Sequence, residues 1–147
     1  VLYDGRVREK ALDTSMAYIS QDVYLFNASI KENIVLGGEF SGTDISDALF
    51  KSSLQTDIEN FKDGIDTIVG ENGANISGGE KQRIAIARSL INGKDTILID
   101  EGTSALDREN RAAIEENLLK SDNLTIIMVS HNLDEKTRKL FDEIYEI

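Results

Sequence analysis

Two hydrophobic rhythms divide the chain. In the C-terminal half, Ile84, Ala87, Arg88 and Ile91 recur at helical spacing with Leu90 beside them, so the pattern predicts a helix over 79–92 that Asn92-Gly93 ends. Ile97-Leu98-Ile99 is a short continuous apolar run, the pattern of a strand buried on both faces. Ala113, Ile114, Leu118 and Leu119 predict a helix over roughly 108–120, and Ile126-Ile127-Met128-Val129 predicts a second buried strand. Residues 133–140 read as helical, and the alternation from Glu143 to Ile147 reads as a final strand. A β-α-β-α-β order of this kind implies a parallel sheet with right-handed crossovers.

The N-terminal half has another character. Val1 to Gly5 reads as a strand entering a turn, and Ala17-Tyr18-Ile19-Ser20 as a strand. Residues 29–36 and 44–60 are helix-like, separated by Gly37-Gly38 and the polar stretch to Thr43. Only helices are expected between the 17–20 strand and residue 92. The pattern therefore predicts a helical subdomain, about 29–92, inserted into an α/β core whose remaining part is 93–147. Proline is absent, so the breaks rest on Gly and Asn.

Composition narrows the function classes. The chain has 147 residues, 40% of them hydrophobic and 29% charged, which suits one globular domain or a large part of one. A net charge of −11 argues against direct binding to nucleic acid or to an anionic membrane surface. With no cysteine and one histidine, a disulfide scaffold and thiolate or His-rich metal centres are excluded. No apolar run approaches the roughly 20 residues that span a bilayer. Position 1 is not Met, and the chain reads as a piece of a longer protein.

Several short segments can carry chemistry. Ser77-Gly78-Gly79-Glu80 is at its plainest a capping box, Ser at the N-cap and Glu three residues on. A helix N-terminus is also an anion site, and glycines there let a phosphate approach the backbone. Asp100-Glu101 could merely open a solvated loop, but it ends a strand of buried character, and ligands of open α/β sheets sit beyond the carboxyl ends of the strands. An Asp at that point can hold Mg²⁺, and a Glu one residue on can polarise an attacking water. Asp107 is an ordinary N-cap for the 108–120 helix. His131 follows the strand at 125–130, and Gln21 follows the strand at 17–20. Each alone is a common surface residue.

Read together, these segments resemble the ATPase domain of ABC transporters, over nearly the whole chain. Ile76-Ser-Gly-Gly-Glu-Lys-Gln-Arg83 resembles the signature motif, and Thr96-Ile-Leu-Ile-Asp-Glu101 the Walker B strand with its catalytic glutamate. Ser104-Ala-Leu-Asp107 resembles the D-loop, and His131 the switch histidine. Gln21, followed by Leu25-Phe26-Asn-Ala-Ser-Ile30 and Glu32-Asn33-Ile34, resembles the Q-loop of the exporter type, and Thr67-Ile-Val-Gly-Glu71-Asn-Gly73 the exporter X-loop. The resemblance implies a P-loop NTPase-like parallel-sheet core with an inserted helical subdomain, with ATP and Mg²⁺ as cofactors. It implies Glu101 and His131 as catalytic groups. Ser77, Gly78, Gly79, Gln21 and Asp107 would lie at the nucleotide, with Asp100 and Gln21 at the metal. It implies two partners, a second ABC ATPase domain in a head-to-tail dimer and the transporter's membrane domain, at the cytoplasmic face of the cell membrane. Two departures stand out. Glu80 replaces the usual Gln, and it suits a triphosphate only if it turns back to cap Ser77. Gly102 stands where the family often has Ala.

No G-x-x-x-x-G-K-[ST] occurs among the 147 residues, although 11 are glycine. The loop that cradles the β- and γ-phosphates is therefore expected upstream of Val1, and the chain by itself is expected to be inactive. Two other readings share these motifs. One is a soluble ABC relative acting on ribosomes or DNA, against which the acidity and the exporter-like Gln21 and Glu71 segments count. The other is a truncated, non-catalytic interaction module.

Overall fold

The computed structural model describes residues 2–3, 6–7, 16–103, 105–121, 124–131 and 133–146. Strands β1 (Leu2–Tyr3) and β2 (Arg6–Val7) form a small antiparallel pair, so the chain does turn after the first strand. A second sheet is built from β3 (Met16–Ile19), β4 (Thr96–Asp100) and β5 (Thr125–Val129), parallel and in that spatial order. Between β3 and β4 come α1 (Ile30–Val35), α2 (Gly42–Lys51), α3 (Gln55–Asn60), two short 3₁₀ turns and α4 (Gly78–Ile91). Helix α5 (Arg108–Leu119) links β4 to β5, and α6 (Glu135–Arg138) follows β5. This is an α/β fold of the P-loop NTPase-like kind, with helices packed on a parallel sheet.

Helix starts are set by short polar side chains. Ser29, Ser41 and Ser77 each accept a bond from the N3 backbone N–H, and Glu32, Asp44 and Glu80 reach back to the N-cap N–H, giving three capping boxes. Asp107 and Asp134 cap α5 and α6.

The long helix α4 is the spine of the fold. Its Ile84 and Ala87 enter a cluster with Leu25, Ile30, Ile34, Leu49, Leu54 and Val69 from the helical region. Its Ala85 and Ile86 enter a second cluster with Ile19, Ile97, Ile99, Leu106, Ile114 and Leu118, against the sheet. Apolar positions therefore occur all round the middle of α4, as buried helices require. Arg83 and Arg88 sit within this packing because each is bonded. Arg83 Nε meets Asp57 Oδ2 at 2.7 Å, and Arg88 donates to Asn33 O at 2.7 Å and to Tyr24 O at 3.2 Å.

Four sequence expectations are corrected. The 44–60 segment is two helices, because Leu54 is fully buried and the chain reverses at Ser53, whose φ is 54°, to place it. The helix expected over 133–140 is the single turn of α6. Residues 143–146 form no strand: Tyr145 is exposed, Glu146 pairs with Arg138, and no strand among the described residues pairs with them; Ile147 lies outside the described residues. Finally, β4 and β5 are not sealed on both faces among the described residues. In the parallel register Ile19, Ile99 and Met128 share one face, which packs on α4 and α5. Tyr18, Leu98 and Ile127 share the other. On that face Met16 is 41%, Tyr18 58%, Ile127 51% and Val129 48% exposed. The apolar runs read as doubly buried because the hydrophobic residues are there, but no described residue covers one face.

Candidate functional site

Three parallel strands deliver four of the candidate residues to one edge of the sheet. Gln21 lies two residues beyond β3, Asp100 ends β4 with Glu101 next to it, and His131 lies two residues beyond β5. The ladder fixes this convergence: Asp100 is level with Val129, and the Glu101 N–H donates to Val129 O at 3.1 Å. His131 Nε2 then meets Glu101 Oε1 at 2.9 Å. Both side chains face solvent, His131 82% and Glu101 34% exposed, so either can turn toward a ligand.

The Glu101 backbone is left-handed, with φ of 50°. A non-glycine residue held there costs about 1–3 kcal/mol and persists only where its surroundings over-determine it. Here the neighbours do so. A Cβ on Gly102 would lie 2.8 Å from Ile19 Cγ2 and 3.0 Å from Ile19 O, so the turn passes hard against β3. Thr103, next along, is buried and bonded through its hydroxyl and its carbonyl.

Asp100 has a partner that sequence reasoning missed. Tyr18 Oη donates to Asp100 Oδ2 at 2.9 Å, and that bond, with some desolvation and the carboxylate's charge, pushes the Tyr18 phenol above its ordinary value. The two residues are 82 apart in the chain. Strand parity carried the signal: once β3 and β4 are neighbours, Tyr18 and Asp100 fall on one face.

Ser77, Gly78 and Gly79 form the start of α4, as expected. The Ser77 hydroxyl accepts from the Glu80 N–H at 3.2 Å, and the Glu80 carboxylate accepts from the Ser77 N–H. Glu80 therefore does turn back onto the cap, with its carboxylate on the Ser77 N–H. This helix end packs on the loop after Glu101: a Cβ on Gly78 would touch Ala105 Cβ at 3.4 Å, and Gln82 Oε1 accepts from the Ala105 N–H at 3.2 Å. Asp107 ends that loop. It accepts from the N–H groups of Asn110 and Glu109, and these bonds hold its carboxyl below the usual value. Ser104 lies outside the described residues.

Gln21 is on the rim of an open cleft of about 750 Å³ shared with Asn72, Gly78, Lys81 and Ala105. Polar bonds stitch this cleft together. Lys81 Nζ donates to Asn72 O at 2.7 Å, and the Leu25 N–H reaches Asn72 Oδ1 at 3.4 Å. The loops at 21–26 and 67–73 and the start of α4 are thus one connected unit. Tight turns form the second loop, with Gly70 and Gly73 at φ of 78° and 70° and Asn72 at 47°. The described residues show no bond between Ser77–Gly79 and the Glu101–His131 pair; the helix cap and the acidic edge flank the 102–107 loop separately.

A hard divalent cation takes oxygen ligands and keeps several waters. Asp100 offers a carboxylate at the strand end, and Gln21 an amide at the same edge. No group of three His, Cys, Asp or Glu side chains able to hold a metal occurs among the described residues. Asp100 and Gln21 therefore suit a magnesium ion that draws most of its shell from water and phosphate, and do not make a closed protein cage.

A three-stranded parallel sheet with helices packed on it, and Asp100, Glu101 and His131 at the ends of its strands, fits the α/β, P-loop NTPase-like fold. Comparison with known proteins makes the assignment specific. The chain belongs to the ABC transporter family, whose model matches residues 2–104. It is 42% identical over 127 residues to the ATP-dependent lipid A-core flippase of Vibrio vulnificus (strain YJ016), covering 84% of this chain and 22% of that protein. It is also 42% identical over 130 residues to ATP-binding cassette sub-family B member 6 of Xenopus tropicalis, covering 86% of this chain and 15% of that one. Among solved structures it is similar to a bacterial Atm1-family ABC exporter with ATP bound, at a TM-score of 0.73 and 35% identity, over 80% of this chain and 21% of that chain. The chain thus spans about a fifth of the length of relatives it matches.

Proposed function

We propose that these residues form the signature and Walker B portion of the ATPase domain of an ABC exporter, which couples ATP binding and hydrolysis to export across a membrane. The observation that carries the reading is the convergence of Gln21, Asp100, Glu101 and His131 at the carboxyl ends of three adjacent parallel strands, with His131 and Glu101 in contact. The names of the flippase and of the Atm1-family exporter support the exporter class.

The roles follow from chemistry and position. Magnesium would supply charge neutralisation on the phosphates, with Asp100 and Gln21 among its ligands. Glu101 is the general base that takes a proton from the attacking water. His131, on the neighbouring strand end, donates a hydrogen bond to a terminal phosphate oxygen and holds Glu101 at the edge when no nucleotide is present. Ser77, Gly78 and Gly79 present the N–H groups and positive end of α4 to ATP carried by a second ABC ATPase domain, head to tail. Asp107 fixes the loop that crosses between the two domains. In this reading the cleft at Gln21 relays the state of the site towards a membrane domain, and the domain works at the cytoplasmic face of the cell membrane. No described helix is long and apolar enough to cross a membrane.

No G-x-x-x-x-G-K-[ST] occurs among the 147 residues, and on this reading the chain alone binds ATP weakly and does not turn it over. The test is Mg-dependent ATP hydrolysis by the purified 147-residue chain and by the full-length protein that carries it. Turnover confined to the full-length protein is expected. Turnover by the chain alone that Glu101→Gln abolishes would show that it holds a complete site.

A further inference from the structure

Gln82 is 1% exposed on α4, and none of the roles above uses its side chain. Its Oε1 accepts from the Ala105 N–H at 3.2 Å, a bond between residues 23 positions apart. A backbone N–H can only donate, so it fixes which end of the amide faces the loop. The other end, Nε2, is buried with no partner among the described residues. A buried amide with half its bonding unmet is unfavourable, and an apolar side chain of similar size avoids that cost. Ala85 and Ile86, one turn on, and Leu106 from the loop belong to the apolar cluster against the sheet, which such a side chain would extend. Packing alone gives no reason for an amide here.

Its place on the helix supplies one. Gln82 lies one turn after Gly78 and shares its face of α4. A Cβ on Gly78 would touch Ala105 Cβ at 3.4 Å, and one on Gly79 would meet Ala105 O at 3.4 Å and Leu106 Cδ2 at 3.5 Å, so the loop lies directly on the start of the helix. Apolar contact of this kind is non-directional and does not set a register. The Gln82 bond does. From the other side, Arg111 of α5 donates to Thr103 O at 3.1 Å and to Leu106 O at 3.3 Å. The loop is thus held by α5 through its carbonyls and by α4 through an N–H. Glu101 lies four residues before Ala105, with its left-handed backbone, and Asp107 two residues after it. The Gln82–Ala105 bond therefore joins the start of α4 to a loop that carries Glu101 at one end and Asp107 at the other.

We propose that Gln82 is a positioning residue for hydrolysis: by holding the Ala105 N–H it fixes the 102–107 loop on the start of α4, and with it the Glu101 turn. The inference rests on the reading of Glu101 as the base.

The test uses the full-length protein. kcat and KM for ATP and the urea midpoint are measured for Gln82→Met, Gln82→Leu and Gln82→Glu, and each apolar variant is also combined with Glu101→Gln. Met and Leu remove both the acceptor and the unpaired N–H at similar volume. Misplacement of a catalytic group by about 1 Å lowers rate by up to about 10²-fold, so each is expected to lower kcat about tenfold with KM within about threefold. The urea midpoint should be no lower than wild type, because no buried polar group is left without a partner at position 82. Gln82→Glu still offers an oxygen to the Ala105 N–H and should keep kcat within about threefold of wild type. On the Glu101→Gln background, Gln82→Met should add less than about twofold, because residues acting through one group are not additive. The proposal is overturned if both apolar variants leave kcat unchanged, if Gln82→Glu loses as much turnover as they do, or if Gln82→Met lowers the residual turnover of Glu101→Gln by the same factor as in wild type. Should Gln82→Met not fold, Gln82→Leu carries the comparisons. Failure of both to fold, or a urea midpoint that falls along with kcat, would make Gln82 a structural residue and overturn the proposal too. Wild-type turnover by Glu101→Gln would instead sink the base assignment, and the proposal with it.

Discussion

His131 Nε2 lies 2.9 Å from Glu101 Oε1, although the two residues come from different strands and 30 positions apart. The contact exists because β4 and β5 are paired in register up to Asp100 and Val129, so the chain leaves both strands at the same level. It also means that the two groups assigned to hydrolysis satisfy one another in this structure. The contact uses one oxygen of Glu101 and one ring nitrogen of His131, which leaves the second oxygen and the second nitrogen open to a water or a phosphate.

The pair should matter for turnover far more than for folding. His131 is largely exposed, and exposed ion pairs contribute about 0–1 kcal/mol. We predict that His131→Ala lowers ATP turnover of the full-length protein by about 10²-fold, the usual effect of removing one positioned donor. Its urea midpoint should stay close to wild type. A variant that hydrolyses normally would remove His131 from the site. A variant that unfolds early would make the contact structural.

The open face of the sheet predicts how the isolated chain behaves. Met16, Tyr18, Ile127 and Val129 lie exposed on one surface, beside strands β3 and β5 that have no outer neighbours among the described residues. Unpaired edges template association, and contiguous apolar patches drive it. Light scattering on the 147-residue chain across a concentration series should show growing assemblies, and Ile127→Lys with Val129→Lys should suppress them. A monodisperse monomer at high concentration would contradict the idea.

Capping carboxylates predict a pH effect at a single position. The Glu32 carboxyl is held below its ordinary value by the Ser29 backbone N–H, then by the Ser29 hydroxyl, with a small opposing effect of desolvation. A lowered folded value means a contribution that is complete above the unfolded value of about 4.3 and is lost as pH falls through the folded one. Glu32→Gln lacks that contribution. Urea midpoints of the two proteins should therefore differ at pH 7 and converge below about pH 4. A gap that persists in acid would assign the effect to packing.

Much of this site could be read in the sequence because its parts are local. The Ser77–Glu80 capping box, the 3.6-residue rhythm of α4 and the apolar run ending at Asp100 each lie within a few residues, and each appears in the structure as the cap, helix or strand expected, although the strand is covered on one face and not on two. What failed depended on distant partners. The alternation at 143–147 looks like a strand, but a strand needs a neighbour, and 143–146 has none among the described residues. The 44–60 segment keeps a helical rhythm through Ser52-Ser53, yet the burial of Leu54 turns the chain there. Tyr18 carried no local mark at all; its bond to Asp100 follows only from which strands are adjacent.

The central claim is that Glu101 is the base of an ATPase site, and one variant of the full-length protein tests it. Glu101→Gln keeps the side chain's shape and its ability to accept a hydrogen bond from His131, but it cannot take a proton. ATP binding and steady-state hydrolysis measured on the same preparation should show affinity retained and turnover reduced by about 10²–10⁴-fold, the loss expected for one positioned base. Turnover equal to wild type would contradict the assignment.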